Sequence, residues 1–455
     1  MSRTPSKVGD LTRLVAVVVA AAVLLGFGLV LFGRLGGGGS VDGKVRYSTS
    51  DHAYGIHLGP HGWFSYTDDD GDWVQQATTG DRWRSEGFYG DGALTSDGTF
   101  VSTLGGDVRI EREGRQLEAR GVDLLVAHGD RSLRPGEEAQ LVGMSTRHAA
   151  VVSCMSPGGE ARLGEEVDGG RLVVSGVALE DASVTWSHDT EVGCDADLAT
   201  LYPEGLPEQR YVLLTPDEET TLALDLDTGK VARTWRDAPR GRVIVREDVA
   251  VSREGDEVRA LSLRSGDEVA RTACPGARLD TPGDWGGRLA AEATPLVRCG
   301  SSVRLLDGDR FVTVDAPPVE ESQQVADGRS VVHDRFEISR AGDTLTFRDA
   351  LADEVVGDVE VPDGFRISTN DLRGRLVVFY RPADKIFGDD TDTEFRIVDT
   401  RTATLVATTG DGLSPGAEVS TDGFAVLTER VERRRSRSSR TYAWVIGVDE
   451  VRRRD

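Results

Sequence analysis

Four cysteines, Cys154, Cys194, Cys274 and Cys299, carry the most definite chemistry in this chain. None forms a C-x-x-C pair or stands beside a histidine at metal-site spacing, so disulfide formation in an oxidising compartment is the chemistry they suggest. Three pairings are open. Cys154–Cys194 with Cys274–Cys299 is the expected one, since each closes a loop comparable to one structural repeat. A second group, Asp68, Asp70 and Asp72 in the run Asp68-Asp69-Asp70-Gly71-Asp72, offers hard oxygens at alternating positions, as a calcium loop begins. The pattern then breaks. Trp73 stands where an EF-hand loop needs glycine and Thr79 where it needs a bidentate glutamate, so an acidic hairpin turn is the simpler reading. Gly388-Asp389-Asp390-Thr391-Asp392 reads the same way. His52, His57 and His61 lie in a stretch with Tyr54, Trp63 and Tyr66, but their spacing of five then four residues matches no zinc signature. No Walker or H-E-x-x-H pattern supplies a phosphate cradle or metalloprotease site, and neither a catalytic residue nor a cofactor is expected.

The remaining chemistry is electrostatic. Arg433, Arg434, Arg435 and Arg437 lie between two expected strands, with Arg430 and Arg440 flanking them. A basic loop of this kind is suited to anionic lipid headgroups or to an acidic partner. The chain as a whole carries a formal net charge of -24 with 53 basic and 77 acidic residues, so it lacks the footprint of a nucleic-acid binder.

The elements that would position these groups begin with residues 14–34, which are continuously apolar from Leu14 to Gly33. About 20 residues at about 1.5 Å each match the bilayer core, so a transmembrane helix is expected there. Arg3, Lys7 and Arg13 precede it against a single acid, Asp10, which places residues 1–13 in the cytoplasm and the rest of the chain outside. A cleaved signal peptide is the alternative, although its apolar region is normally shorter and closed by small residues. Residues 35–44, containing Gly36-Gly37-Gly38-Gly39-Ser40, read as a flexible linker. Residues 45–455 form the extracytoplasmic part of a single-pass plasma-membrane protein. Only four lysines, Lys7, Lys44, Lys230 and Lys385, occur beside abundant arginine, a bias that fits a GC-rich bacterial genome.

That part reads as short strands cut by Asp-Gly, Gly-Asp, Ser-Gly and Pro-Gly punctuation, without helical periodicity. One unit recurs. Thr221-Leu222-Ala223-Leu224-Asp225-Leu226-Asp227-Thr228-Gly229-Lys230-Val231 is a strand, a tight turn and the start of a second strand, and Val258–Val269 repeats it. Weaker copies start at Val303, Leu345 and Phe395. Spacings near 40 residues indicate a propeller or a solenoid, and a closed ring of twisted blades suits the wide, loose period better. Working back through Asp181-Ala182, Glu113-Gly114 and Thr79-Gly80 gives an all-β, seven- or eight-bladed propeller preceded by one transmembrane α-helix. The last strand, Tyr442–Val448, is expected to complete the first blade and clasp the ring.

The run Ala223-Leu224-Asp225-Leu226-Asp227-Thr228-Gly229, followed by Trp235, resembles the A-x-D-x-x-T-G blade repeat of quinoprotein-like (PQQ-like) propellers with its docking tryptophan. Trp235 lies farther beyond the glycine than in that repeat, and most other copies have no tryptophan there. A catalytic member would imply a quinone, a calcium ion, a catalytic acid and often adjacent cysteines, which this chain does not have. The resemblance therefore implies a non-catalytic, membrane-anchored member. The function expected is a protein-binding or scaffold module in a cell-envelope process, its partner a protein or glycan. A quinone- or calcium-dependent oxidoreductase, or a glycan hydrolase using paired carboxylates, is the alternative.

Overall fold

The computed structural model describes residues 41–48, 54–85, 92–121, 123–124, 132–159, 161–196, 208–217, 219–238, 242–279, 294–319, 323–368, 375–381, 394–409, 417–419, 423–432 and 439–448. Among them the strands fall into nine antiparallel sheets that follow one another along the chain: residues 54–85, 92–119, 134–189, 211–235, 243–273, 278–314, 330–360, 366–409 and 417–447. We number these sheets blades 1 to 9 and letter the strands of each a to d in chain order. Blade 4 shows three strands among the described residues, and they correspond to b, c and d.

Nine apolar clusters replace a single core, each drawing on two consecutive blades. Leu141 and Val173 of blade 3 pack with Val101 and Ile110 of blade 2, and Val152 and Val174 of blade 3 pack with Val212 and Leu224 of blade 4. The series ends with Ile56, Phe64 and Tyr66 of blade 1 against Phe424, Val426 and Val445 of blade 9, and that contact closes the ring. Each sheet thus buries both faces against its neighbours, as a propeller requires. Strand a sits at the centre: Val243–Arg246 is buried throughout, whereas the first four residues of the d strand Val231–Trp235 are exposed.

The blade count corrects the expectation of seven or eight. Two strands at the start of the chain complete the far end of the ring. Val45–Ser48 pairs with Ser439–Gly447 as the outermost strand of blade 9, with Ser48 opposite Trp444. Val41–Gly43 adds a fifth strand outside Thr404–Thr409 of blade 8, with Val41 opposite Thr409. The clasp is therefore N-terminal: the last strand stays in the last blade, and the N-terminal strand Val45–Ser48 comes to it. Tyr47 of this clasp stacks near Phe64 and Tyr66 of blade 1, at 5.1 and 5.8 Å between ring centroids. Residues 41–43, read from the sequence as the end of the linker, are thus a strand. The expected tail, transmembrane segment 14–34 and start of the linker lie outside the described residues, among which no helix is long and apolar enough to cross a membrane.

The recurring turn has one geometry in six blades. Four residues after the last residue of strand c, the backbone takes a positive φ, at Gly80, Ala182, Gly229, Gly266, Asp353 and Ala403. The first turn residue donates its N–H to the carbonyl just before strand b of the same blade, over 2.7–3.0 Å: Ala77 to Gly62, Leu179 to Arg147, Leu226 to Arg210, Leu263 to Asp248, Ala350 to Arg335 and Thr400 to Arg375. Each bond ties the c–d turn to the a–b connection beneath it. In blade 4 the turn is also capped from next door. The Trp186 indole of blade 3 donates to the Leu226 carbonyl at 2.9 Å and lies so close over Gly229 that any Cβ there would fall 2.6 Å from the ring.

The disulfides are Cys154–Cys194, which ties strand b of blade 3 to the segment after its strand d, and Cys274–Cys299, which joins the end of blade 5 to strand b of blade 6.

Candidate functional site

Strand direction alternates within each blade, so a–b and c–d connections share one face of the disc, here the lower face. The b–c and d–a connections share the upper face. A depression of about 380 Å³ opens on the lower face, lined by Ser145, Thr146 and Arg147 of blade 3, Glu208, Gln209, Arg210 and Asp227 of blade 4, and Arg246, Glu247 and Asp248 of blade 5. It collects three guanidinium groups and four carboxylates.

Its walls are built from ion pairs on the recurring turns. Arg210, the residue before strand b of blade 4, donates from Nε and a terminal nitrogen to Asp225 at 3.0 and 2.9 Å, a two-point grip that orients the guanidinium. Asp225 in turn accepts from the Asp227 and Thr228 amides through its other oxygen. Arg335–Asp349 and Arg375–Asp399 repeat this pairing in blades 7 and 8. Asp227 joins two blades. It accepts from Ser145 Oγ at 3.1 Å and from the Arg147 guanidinium, and His148 Nδ1 lies 3.3 Å away. Burial pulls its carboxyl upward, but these hydrogen bonds outweigh burial and hold it below the usual aspartate range. Asp248 pairs with Arg264 at 2.6 Å.

Toward the axis, side chains from blades that are not neighbours meet. Glu208 of blade 4 hydrogen-bonds Ser96 of blade 2 and feels Asp97 and His61. Burial raises its carboxyl above the ordinary glutamate value, against the Ser96 bonds. Arg246, at the end of strand a in blade 5, is 8% exposed; burial pulls its guanidinium down to about 10, opposed by the charge of Asp334 in blade 7. It stays a cation at neutral pH. Asp334, 7% exposed, is raised by burial while the Thr294 amide donates to it at 2.7 Å. His61, Glu247 and Asp334 all hold a positive φ, at 55°, 48° and 53°, in the a–b connections of blades 1, 5 and 7. Left-handed backbone at residues without glycine's freedom marks strained positions, and such strain gathers at sites that recognise something.

Glu208 raised and Asp97 lowered form two carboxylates driven apart, the pattern of an acid and base pair. The Asp97 carboxylate, however, is occupied in closing its own turn: it accepts from Thr95 Oγ1 at 2.6 Å, Thr99 Oγ1 at 2.8 Å and the Thr99 amide, and pairs with Arg112 at 3.0 Å. The arrangement is better suited to holding a charged ligand than to moving a proton.

The residues singled out by sequence fall elsewhere. Asp68, Asp70 and Asp72 form the b–c hairpin of blade 1 on the upper face. There one oxygen of Asp68 accepts from the Asp70 amide, the Gly71 amide and the Trp73 indole, and Asp72 accepts from Thr67. Among the described residues no three His, Cys, Asp or Glu side chains converge as a metal site. His57 lies in strand a of blade 1 and His61 in the turn after it, while His52 and the 388–392 run lie outside the described residues. Arg433, Arg434, Arg435 and Arg437 also lie outside them. Glu432 and Ser439, the paired residues on either side, end on the upper face. Sequence reading missed Glu208, Arg246 and Asp334, and the only local trace is a left-handed residue without glycine at Asp334 and at Glu247, the neighbour of Arg246.

No protein-family model and no curated protein matches the sequence. Solved structures with some likeness include BamB from Moraxella catarrhalis, at 12% identity and a TM-score of 0.38 over 79% of this chain and 94% of that one. The WD40 domain of SCAP from fission yeast gives 10% and 0.41 over 90% and 98%. A europium-containing methanol dehydrogenase gives 10% and 0.36 over 90% and 93%. Likeness this slight supports no conclusion, and the ring rests on this chain's own sheets and clusters.

Proposed function

We propose that this protein is a membrane-anchored, extracytoplasmic propeller that serves as a protein-binding or scaffold module in a cell-envelope process. The carrying observation is the lower-face depression, which holds guanidinium and carboxylate groups of three blades on turns fixed by hydrogen bonds. Such a rigid, preorganised surface of both charge signs suits an exposed polar segment of a partner protein that also carries both signs. The two disulfides support an oxidising compartment, and the apolar run at residues 14–33 supports the anchor. The blade 4 turn supports kinship with non-catalytic quinoprotein-like propellers. Arg433, Arg434, Arg435 and Arg437 are proposed as a second contact, to lipid headgroups or to an acidic protein at the membrane.

The test is chemical crosslinking in native membranes with the full chain and with Glu247→Arg, a substitution at an exposed position of the depression. A discrete crosslinked partner that is lost in the variant supports the reading. The same partner retained at full yield contradicts it.

A further inference from the structure

We infer that the propeller hangs with its upper face toward the bilayer, so that the charged depression on the lower face is presented away from the membrane. This rests on the anchor reading above and adds an orientation to it. The observation is where the chain enters the fold. Val41 lies opposite Thr409, the last residue of strand d in blade 8, and Gly43 lies opposite Ala407. Strand d runs from the c–d turn on the lower face to the d–a connection on the upper face. The antiparallel strand Val41–Gly43 therefore descends from the upper face, and the described chain enters the disc from that side.

The tether length decides how far the disc can turn. Residues 35–40 separate the expected transmembrane segment 14–34 from Val41, and six extended residues span at most about 20 Å. The strands that set the thickness of the disc hold about six residues, which is again about 20 Å. To bring the lower face to the bilayer, the tether would have to double back down the rim and spend its whole reach on that path. With the upper face toward the bilayer, no path is doubled. Glu432 and Ser439, which bracket the arginine-bearing segment, end on this same face one blade away. Several other b–c turns on this face are acidic, with Asp69 and Asp70 in blade 1, Asp256 in blade 5 and Asp343 in blade 7. The tether, rather than general adsorption to anionic lipid, thus sets the orientation. A partner reaching the depression must come from the side away from the membrane, as a soluble or opposite-layer envelope protein would.

The experiment uses the full chain reconstituted in phosphatidylcholine vesicles that carry an acceptor dye on the headgroups. Single cysteines are placed at Asp256→Cys, in the b–c turn of blade 5, and at Ser265→Cys, in the c–d turn of the same blade. Both sites are exposed and the four native cysteines are bonded, so a donor dye labels each variant at one place. The donor at 256 is expected to transfer more efficiently than the donor at 265, by the amount that corresponds to about 20 Å of height. Equal transfer, or stronger transfer from 265, overturns the orientation while the anchor stands. Flotation is scored on the same samples, and a chain that does not float with the vesicles overturns the anchor reading and the orientation with it.

Discussion

Asp399 illustrates how a single carboxylate holds a blade of this ring. It is 2% exposed, receives two hydrogen bonds from Arg375 at 2.9 and 2.7 Å, and caps its own turn through the Arg401 amide and Thr402 Oγ1. Removing one partner of such a pair strands a charge in the interior. Asp399→Ala is expected to lower stability by about 3 kcal/mol in urea unfolding. Glycines of the turns divide by their surroundings. Gly229 and Gly266 both hold a positive φ, at 67° and 80°, but a Cβ at 229 would strike Trp186, whereas nothing lies within 4 Å of one at 266. Gly266→Ala should cost about 1 kcal/mol, the strain of a left-handed residue alone, and Gly229→Ala clearly more, as read from paired melting curves. Asp227 sets a pH dependence. Its folded-state value is depressed by Arg147, His148 and Ser145, so its contribution is full above the unfolded value of about 3.9 and is lost as pH falls through the lower folded value. Asp227→Asn should therefore be less stable than the parent at pH 7, with the difference shrinking in acid below about pH 4. A penalty that is constant with pH would contradict this.

At the scale of elements, the c–d turn was legible where it uses glycine, as at Gly80, Gly229 and Gly266. In blades 3, 7 and 8 the same left-handed position is filled by Ala182, Asp353 and Ala403, which weakens the repeat there. The blade left out of the count is the ninth, because sequence reading gives its strand Ser439–Gly447 to the first blade. Blade 3 also stretches its strands, with Arg134–Met144 and His148–Ser156, and blade 9 has two nine-residue strands. Both blur a period near 40. The docking tryptophan of the blade 4 turn is Trp186 from the preceding blade, while Trp235 is buried between blades 4 and 5 with Tyr211 and Val243. Sequence order cannot show which tryptophan reaches which turn. The clasp misread has a similar cause: strand pattern identifies both ends of the chain as strands, but only tertiary pairing reveals which end crosses. Deleting residues 41–48 would uncover the outer edges of Thr404–Thr409 and Ser439–Gly447 and take Tyr47 from blade 1. Bare edges pair with other chains. The truncated protein is expected to melt at lower temperature and to associate with rising concentration, as seen by scanning fluorimetry and size-exclusion chromatography.

For the whole molecule, the ring explains why the depression was invisible beforehand. Ser96, Glu208, Arg246 and Asp334 belong to blades 2, 4, 5 and 7, and only closure around an axis brings Glu208 to Ser96 or Asp334 near Arg246. Their placement follows from how many blades there are and from what seals the last to the first. The N-terminal segment bears on both, since Val41–Gly43 and Val45–Ser48 finish the outer edges of blades 8 and 9. The pair Asp42 and Thr408 tests this most directly, because they lie opposite each other where the N-terminal strand joins blade 8, at the far end of the chain, and neither is buried. Directly opposed residues sit within the reach of a disulfide. In the Asp42→Cys, Thr408→Cys variant, the closed ring predicts an intramolecular 42–408 bond on mild oxidation, found by mass spectrometry after proteolysis with both native disulfides intact. A variant that stays unlinked, or that links only between molecules, would contradict the ring and the orientation drawn from it.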